Sequence, residues 1–221
     1  MKKPKIFIAC DTTNLNKVKK IIKQSQTSKI KIGYKFGLEF MNSKNGRKFI
    51  SKLKRKVIFI DLKLNDTVNT MVSAVKALKD LKIHYLTVHI SSGLTALKAV
   101  KKVSGFTKIV GVTTLTSLND NDLKLIGYNK SVKNLVSHQA KLATKAGLDA
   151  LVCSPYEANA VRKFFKKEII TPGVQIGKRN FDQKRSMEAK KVESDWLVIG
   201  RAITARGNIK KNIQNLAKEL K

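Results

Sequence analysis

Residues 56–90 read KVIFIDLKLNDTVNTMVSAVKALKDLKIHYLTVHI, two short apolar runs separated by a segment of helical period. KVIFIDLK (56–63) and YLTVHI (85–90) are near-continuous and β-branched, as expected of strands covered on both faces. Between them Val72, Val75, Leu78 and Leu81 repeat along one side of a helix. The same alternation runs along the chain. KIFIACD (5–11), KIKIGY (29–34), KIVGVTTL (108–115), ALVCS (150–154), EIITPGV (168–174) and WLVIGR (196–201) bring the strand-like runs to eight. Leu15, Val18, Ile21 and Ile22, and later Leu135, Val136, Ala140 and Ala143, supply further helical faces. Eight such units predict an α/β fold, a (β/α)8 TIM barrel of eight parallel strands with outer helices. No Pro/Ser-rich linker interrupts the pattern, so residues 1–221 are expected to form a single domain.

At 221 residues with 42% hydrophobic content, the chain has ample material for a core. No run of eighteen apolar residues occurs, and MKKPKIFIACD passes from a few charges into a strand without a cleavage-site pattern, which predicts a soluble cytoplasmic protein with no membrane partner. Cys10 and Cys153 lie inside apolar runs and read as small buried hydrophobes. The formal charge of +31 raises nucleic acid as a partner. The basic residues are, however, spread over nearly every helical segment and are mostly Lys, so no specific nucleic-acid contact is expected. A field of this sign would instead favour capture of a small anion.

In such a barrel the loops after the strands carry function. The strand ends place Asp11, the Lys31 to Tyr34 segment, Asp61 with Lys63, His89, Thr113 to Ser117, Ser154, Thr171 to Val174 and Gly200-Arg201 at that face. Asp61 and Lys63 are two apart, so both side chains point into the barrel mouth. Unpaired charge there would be neutralised, which predicts an Asp-Lys-Asp array with Lys31 of the neighbouring strand as a fourth member. A satisfied ion-pair network at the rim would account for the same spacing. Asp66 follows the strand end by three residues, where either it or Asn65 is also placed to cap the next helix.

After the seventh run comes TPGVQIGKRNFDQKR (171–185), with Pro172, Gly173, Gln175 and Gly177, and after the eighth comes Ile199-Gly200-Arg201. Loops at these two positions commonly form a phosphate site, from backbone N–H groups at a Gly turn and a fixed guanidinium. A phosphorylated small molecule is the implied ligand, and the long polar loop suits a lid. A tight strand exit at Gly200 with Arg201 as a surface charge is the alternative.

Taken in order, these residues resemble the orotidine 5′-phosphate decarboxylases nearly end to end. The matching pieces are Asp11, Lys31-Ile-Gly33, the D-x-K-x-x-D signature as Asp61, Lys63 and Asp66 with Asn69-Thr70, His89 with Gly93, Thr116-Ser117, Thr171-Pro172-Gly173 and Val-Ile-Gly-Arg ending at Arg201. The resemblance implies conversion of orotidine 5′-phosphate to UMP and CO2 without metal or organic cofactor. It implies that Lys63 protonates C6, that Asp61 lies beside the scissile carboxylate and holds Lys63, and that Asp11 and Lys31 bind ribose hydroxyls. Ser117 would meet the pyrimidine edge. Asp66, with Thr70 beside it, would complete the site of the other subunit in a homodimer. Thr67-Val68 stands where the family often has Ile-Pro, and Gln175 is one residue earlier than the family's phosphate-loop Gln.

Two rival readings remain. Metal-dependent sugar-phosphate lyases of the hexulose-phosphate synthase type share D-x-K-x-x-D, but where they place an acid on strand two this chain has Lys31, which would repel a metal. A noncatalytic basic barrel that binds nucleic acid leaves Asp61, Lys63 and Asp66 unexplained.

Overall fold

The structure, a computed structural model, describes residues 5–27, 29–175, 187–188, 193–204 and 207–220, with 175, 187 and 188 described as backbone. Its strands are β1 (Lys5–Ala9), β2 (Ile32–Gly37), β3 (Val57–Leu64), β4 (Tyr85–His89), β5 (Lys108–Val112), β6 (Ala150–Val152), β7 (Glu168–Thr171), the short pair β8 (Val174–Gln175) and β9 (Met187–Glu188), and β10 (Trp196–Ile199). β1 to β7 pair in sequence and β10 joins β7 to β1, closing a barrel of eight parallel strands. The helices are α1 (Leu15–Gln24), α2 (Leu38–Met41), α3 (Gly46–Ser51), α4 (Val68–Ala77), α5 (Leu94–Val103), α6 (Asp120–Leu125), α7 (Val132–Ala146), α8 (Ala158–Phe164), α9 (Arg201–Thr204) and α10 (Ile209–Glu219). None of the described helices is long and apolar enough to cross a membrane.

Alternation along each strand divides the core in two. Outward residues such as Ile6, Ile8, Ile58, Ile60 and Leu86 meet the helices, including the predicted faces of α1 (Val18, Ile21, Ile22) and α7 (Leu135, Val136, Ala140, Ala143). Inward residues form a separate cluster of Phe7, Phe59, Tyr85, Val110, Ala150, Ile170 and Trp196. Phe7 stacks on Trp196 with ring centroids 4.0 Å apart and meets the edge of Tyr85 at 5.2 Å. That packing explains Gly33, since a Cβ there would lie 2.5 Å from the Phe7 ring.

The strand edges correct one expectation. β2 begins at Ile32 rather than residue 29 and runs on to Gly37, so Lys31 precedes the strand and is exposed at the opposite end of the barrel from the mouth. The alternation in KIKIGYKFG has no internal mark of where pairing starts. Lys31 and Lys35 share inward parity but are separated by four residues, about 13 Å of strand.

The N-terminal end of the barrel is closed by Glu168, the first residue of β7. Its carboxylate accepts hydrogen bonds from Lys108 Nζ (2.7 Å), Tyr85 Oη (2.8 Å), Lys5 Nζ (3.3 Å) and Trp196 Nε1 (3.3 Å). Burial alone would raise its pKa, but these donors hold it below the usual carboxylate value. At the other end the β3–β4 ladder breaks. Ile60 pairs with Leu86 and Leu64 with Val88, so β3 advances four residues while β4 advances two. The extra residues form a bulge in which Lys63 adopts φ +51°, a left-handed conformation that disfavours a side chain.

Two substitutions test these ends. Glu168→Gln removes the charge that faces both lysines and is expected to lower unfolding free energy by about 1–3 kcal/mol in urea titrations at neutral pH. In an ordinary strand, Gly is weaker than Ala, whereas here Lys63→Gly is expected to exceed Lys63→Ala by roughly 0.5–1 kcal/mol, because only Gly relieves the left-handed backbone.

Candidate active site

The mouth is built from the last inward residues of β1 to β4. Gly37 ends β2 opposite Asp61, and a Cβ at Gly37 would lie 3.3 Å from Asp11 Oδ1 and 3.6 Å from Lys35 Nζ, so its missing side chain leaves room for that pair. Lys35 Nζ lies 3.0 Å from Asp11 Oδ1 and 3.5 Å from Asp61 Oδ2, and Lys63 Nζ lies 3.0 Å from Asp61 Oδ2. Asp11, Lys35, Asp61 and Lys63 thus form one chain of alternating charge. The predicted contact between Asp61 and Lys63 is present, and Asp11 joins it. The fourth member is Lys35, where Lys31 was expected, because Lys35 occupies the mouth end of β2.

Burial opposes charge on both central members and is overcome. It pulls Lys35 down, but Asp61 and Asp11 hold its ammonium above the ordinary lysine value. Likewise it pushes Asp61 up, but Lys35, Lys63 and a hydrogen bond from Thr87 keep it below the usual carboxylate range. His89, the last residue of β4, is held below the ordinary imidazole value, first by burial and then by Lys63. A neutral His89 fits a wall of the mouth beside that ammonium. Thr87 is fully buried and went unnoticed in the sequence, although its inward parity between Tyr85 and His89 was readable.

Asp66 stands apart from this array. It is exposed, its Oδ1 accepts from the Thr67 backbone N–H at 2.6 Å, and Thr67 is the N-cap of α4. The capping alternative for Asn65 or Asp66 is therefore not what the structure contains. Thr70 is exposed one turn on and its hydroxyl meets that of Thr67 at 3.0 Å. Thr116 and Ser117 lie exposed in the turn that follows β5. Pro172 and Gly173, the latter at φ +75°, follow β7. The side chain of Gln175 lies outside the described residues, as do Gly177 and the basic residues 178, 179, 184 and 185. Gly200 leaves β10, its carbonyl accepts from the N–H groups of Ile203 and Thr204, and Arg201 begins α9 at the surface.

Cys10 and Cys153 are buried free thiols. Burial, with Asp11 second, pushes Cys10 up to about 12, which suits an inert packing role. A cleft of about 450 Å3 opens beside the N-terminus of α7, with Asp120, Lys133, Ser154 and Glu157 on its walls. It includes no member of the Asp61 array.

Comparison with known proteins gives the family. The model of the orotidine 5′-phosphate decarboxylase / HUMPS family matches residues 4–216. The orotidine 5′-phosphate decarboxylase of Wolbachia pipientis subsp. Culex pipiens is 39% identical, across 97% of this chain and 98% of that protein. That of Buchnera aphidicola subsp. Schizaphis graminum is 37% identical, across 93% and 91%. Among solved structures, the enzyme of Lactobacillus acidophilus superposes with a TM-score of 0.83 at 28% identity, covering 99% of this chain and 98% of that one. The Methanocaldococcus jannaschii enzyme, solved with the inhibitor BMP, has a TM-score of 0.79 at 21% identity, a likeness of fold. With a family match over almost its whole length and relatives of that name above 30% identity, the chain belongs to the orotidine 5′-phosphate decarboxylase / HUMPS family, on its decarboxylase side.

Proposed function

We propose that this chain decarboxylates orotidine 5′-phosphate to UMP and CO2 with Lys63 as the proton donor to C6. The observation that carries this is the position of the Lys63 ammonium, 3.0 Å from a largely buried, ionised Asp61 whose same oxygen also lies 3.5 Å from Lys35 Nζ. As the bond between C6 and the carboxylate breaks, the electron pair stays on C6 and negative charge moves from the carboxylate to the ring. A fixed cation on the C6 side favours that movement, and an anion on the carboxylate side disfavours the starting arrangement. Asp61 and Lys63 supply one of each. Lys63 then transfers its proton to C6 and is recharged from solvent.

The remaining assignments are those the family resemblance implies, with Lys35 in place of Lys31. Asp11 and Lys35 face the ribose hydroxyls, Lys35 taking the part expected of Lys31. Thr116 and Ser117 meet the pyrimidine edge. Gly200 and Arg201, with Pro172 and Gln175, hold the phosphate, whose binding energy holds the site closed around the ring. Exposed Asp66 and Thr70 serve the partner's site in a homodimer, and residues 1–221 act as one domain. The lyase reading that relies on a divalent cation is disfavoured by Lys35, since a buried ammonium beside Asp61 opposes a metal there.

Protein treated with EDTA is expected to convert orotidine 5′-phosphate to UMP at the untreated rate, followed by absorbance, whereas a strict Mg2+ requirement would point to the metal-dependent lyases. Lys63→Ala is expected to reduce kcat by roughly 10²–10⁴-fold or more while the barrel stays folded by circular dichroism. Mixing Lys63→Ala with Asp66→Ala protein tests the shared site. Once subunits have exchanged, about a quarter of the sites are expected to be intact under random pairing, and no recovery would exclude the assignment of Asp66 across the interface.

A further inference from the structure

Thr87, on the neighbouring strand β4, touches both halves of the Asp61–Lys63 pair. Its Oγ1 accepts from the Lys63 backbone N–H at 2.8 Å and lies 3.0 Å from Asp61 Oδ1. The polarity of the two contacts is forced. A backbone N–H only donates, so the hydroxyl proton is left for Asp61, and an ionised carboxylate is the partner that accepts it without competition. The hydroxyl also sits where the β3–β4 ladder breaks, between the Ile60–Leu86 and Leu64–Val88 pairs. In the bulge, the Lys63 N–H is taken by the Thr87 side chain, and the lysine is in a left-handed conformation that the chain does not adopt by preference. Thr87 is itself fully buried, so its hydroxyl is closed to solvent.

From this geometry we propose that Thr87 is a positioning residue for the decarboxylation: its hydroxyl locks the β3 bulge and orients Asp61, setting the position of the Lys63 ammonium over the reacting carbon. The proposal rests on the reading of Lys63 as proton donor. It separates Thr87 from ordinary core packing, because a methyl group of the same shape would fill the space but lose both bonds. Loss of the hydroxyl would act chiefly on the step in which Lys63 delivers its proton rather than on capture of the nucleotide, whose phosphate is held at Gly200 and Arg201. It would also remove one contact that favours ionised Asp61, raising its pKa, so the acid limb of the rate profile would move to higher pH.

The test compares Thr87→Val, Thr87→Ser and Thr87→Cys with wild type, using orotidine 5′-phosphate as substrate. Thr87→Val is expected to lower kcat by about 10–100-fold with KM within about threefold, and to shift the acid limb of kcat upward. Thr87→Ser, which keeps the hydroxyl, is expected to remain within about fivefold of wild type and to keep the wild-type limb. Thr87→Cys, close in size and a weak hydrogen-bond partner, is expected to fall between them and serves if the valine variant does not fold. Wild-type kcat and an unmoved acid limb in Thr87→Val or Thr87→Cys would overturn the proposal, as would a serine variant as slow as valine. If wild-type protein itself fails to turn over the substrate, the functional reading fails first, which distinguishes the two.

Discussion

The buried negative charge of Asp61 is the constraint around which the mouth of this barrel is organised. A carboxylate at that depth is unstable alone, and the protein surrounds it with two ammonium groups and a hydroxyl, Lys35 at 3.5 Å, Lys63 at 3.0 Å and Thr87 at 3.0 Å. Each partner makes its own demand on the fold. Lys35 is flanked by the small Gly37 and paired with Asp11 beyond it, while Lys63 sits in a bulge that turns its backbone left-handed. Local regularity of β3 is given up where the charged pair sits. This is the pattern expected of strain retained for a site rather than for stability.

The barrel has a second arrangement of the same kind at its other end, and the contrast identifies what is particular about the first. Glu168 also lies between two lysines, Lys5 at 3.3 Å and Lys108 at 2.7 Å. Both ammonium groups lie over aromatic rings, Lys5 over Trp196 and Lys108 over Tyr85, and those rings themselves donate to Glu168. Every strong contact is internal, the strands there keep regular register, and no backbone angle is unusual at those residues. A carboxylate between two lysines is therefore not in itself a catalytic signature. Placement at the C-terminal ends of the strands, next to the loops, and a bulge that re-aims one lysine set the array at the mouth apart from the structural one.

Much of this was legible from period and position. Strand count, closure and the inward direction of Asp61 and Lys63 follow from alternation, because parity is a local property of a strand. Where a strand begins is not local. KIKIGYKFG alternates from end to end, and only pairing with β1 and β3 decides that Lys35 rather than Lys31 reaches the mouth. The bulge was equally invisible, since it arises from a mismatch in advance between two strands and neither sequence alone records it. Thr87 lay in plain view but reads as an ordinary β-branched strand residue until its neighbours across the ladder are known. Asp66 was ambiguous because caps and interface acids draw on the same residue types, and the structure moves the cap one residue on to Thr67.

The surplus of positive charge takes on a specific meaning beside this site. The four-residue array of Asp11, Lys35, Asp61 and Lys63 is balanced, two charges of each sign, so it offers little net attraction to an anionic nucleotide arriving from solvent. Attraction over longer range falls to the rest of the chain, whose net charge is +31. The two roles are separable in physical terms. Exposed lysines act through a field that salt screens within about 8–10 Å, whereas Lys35 and Asp61 at the centre of the array are largely covered, close and weakly screened. Capture of substrate should thus depend on ionic strength while the bond-breaking step does not, and a chain can drift far in surface composition without disturbing the few contacts that set Lys63 in place.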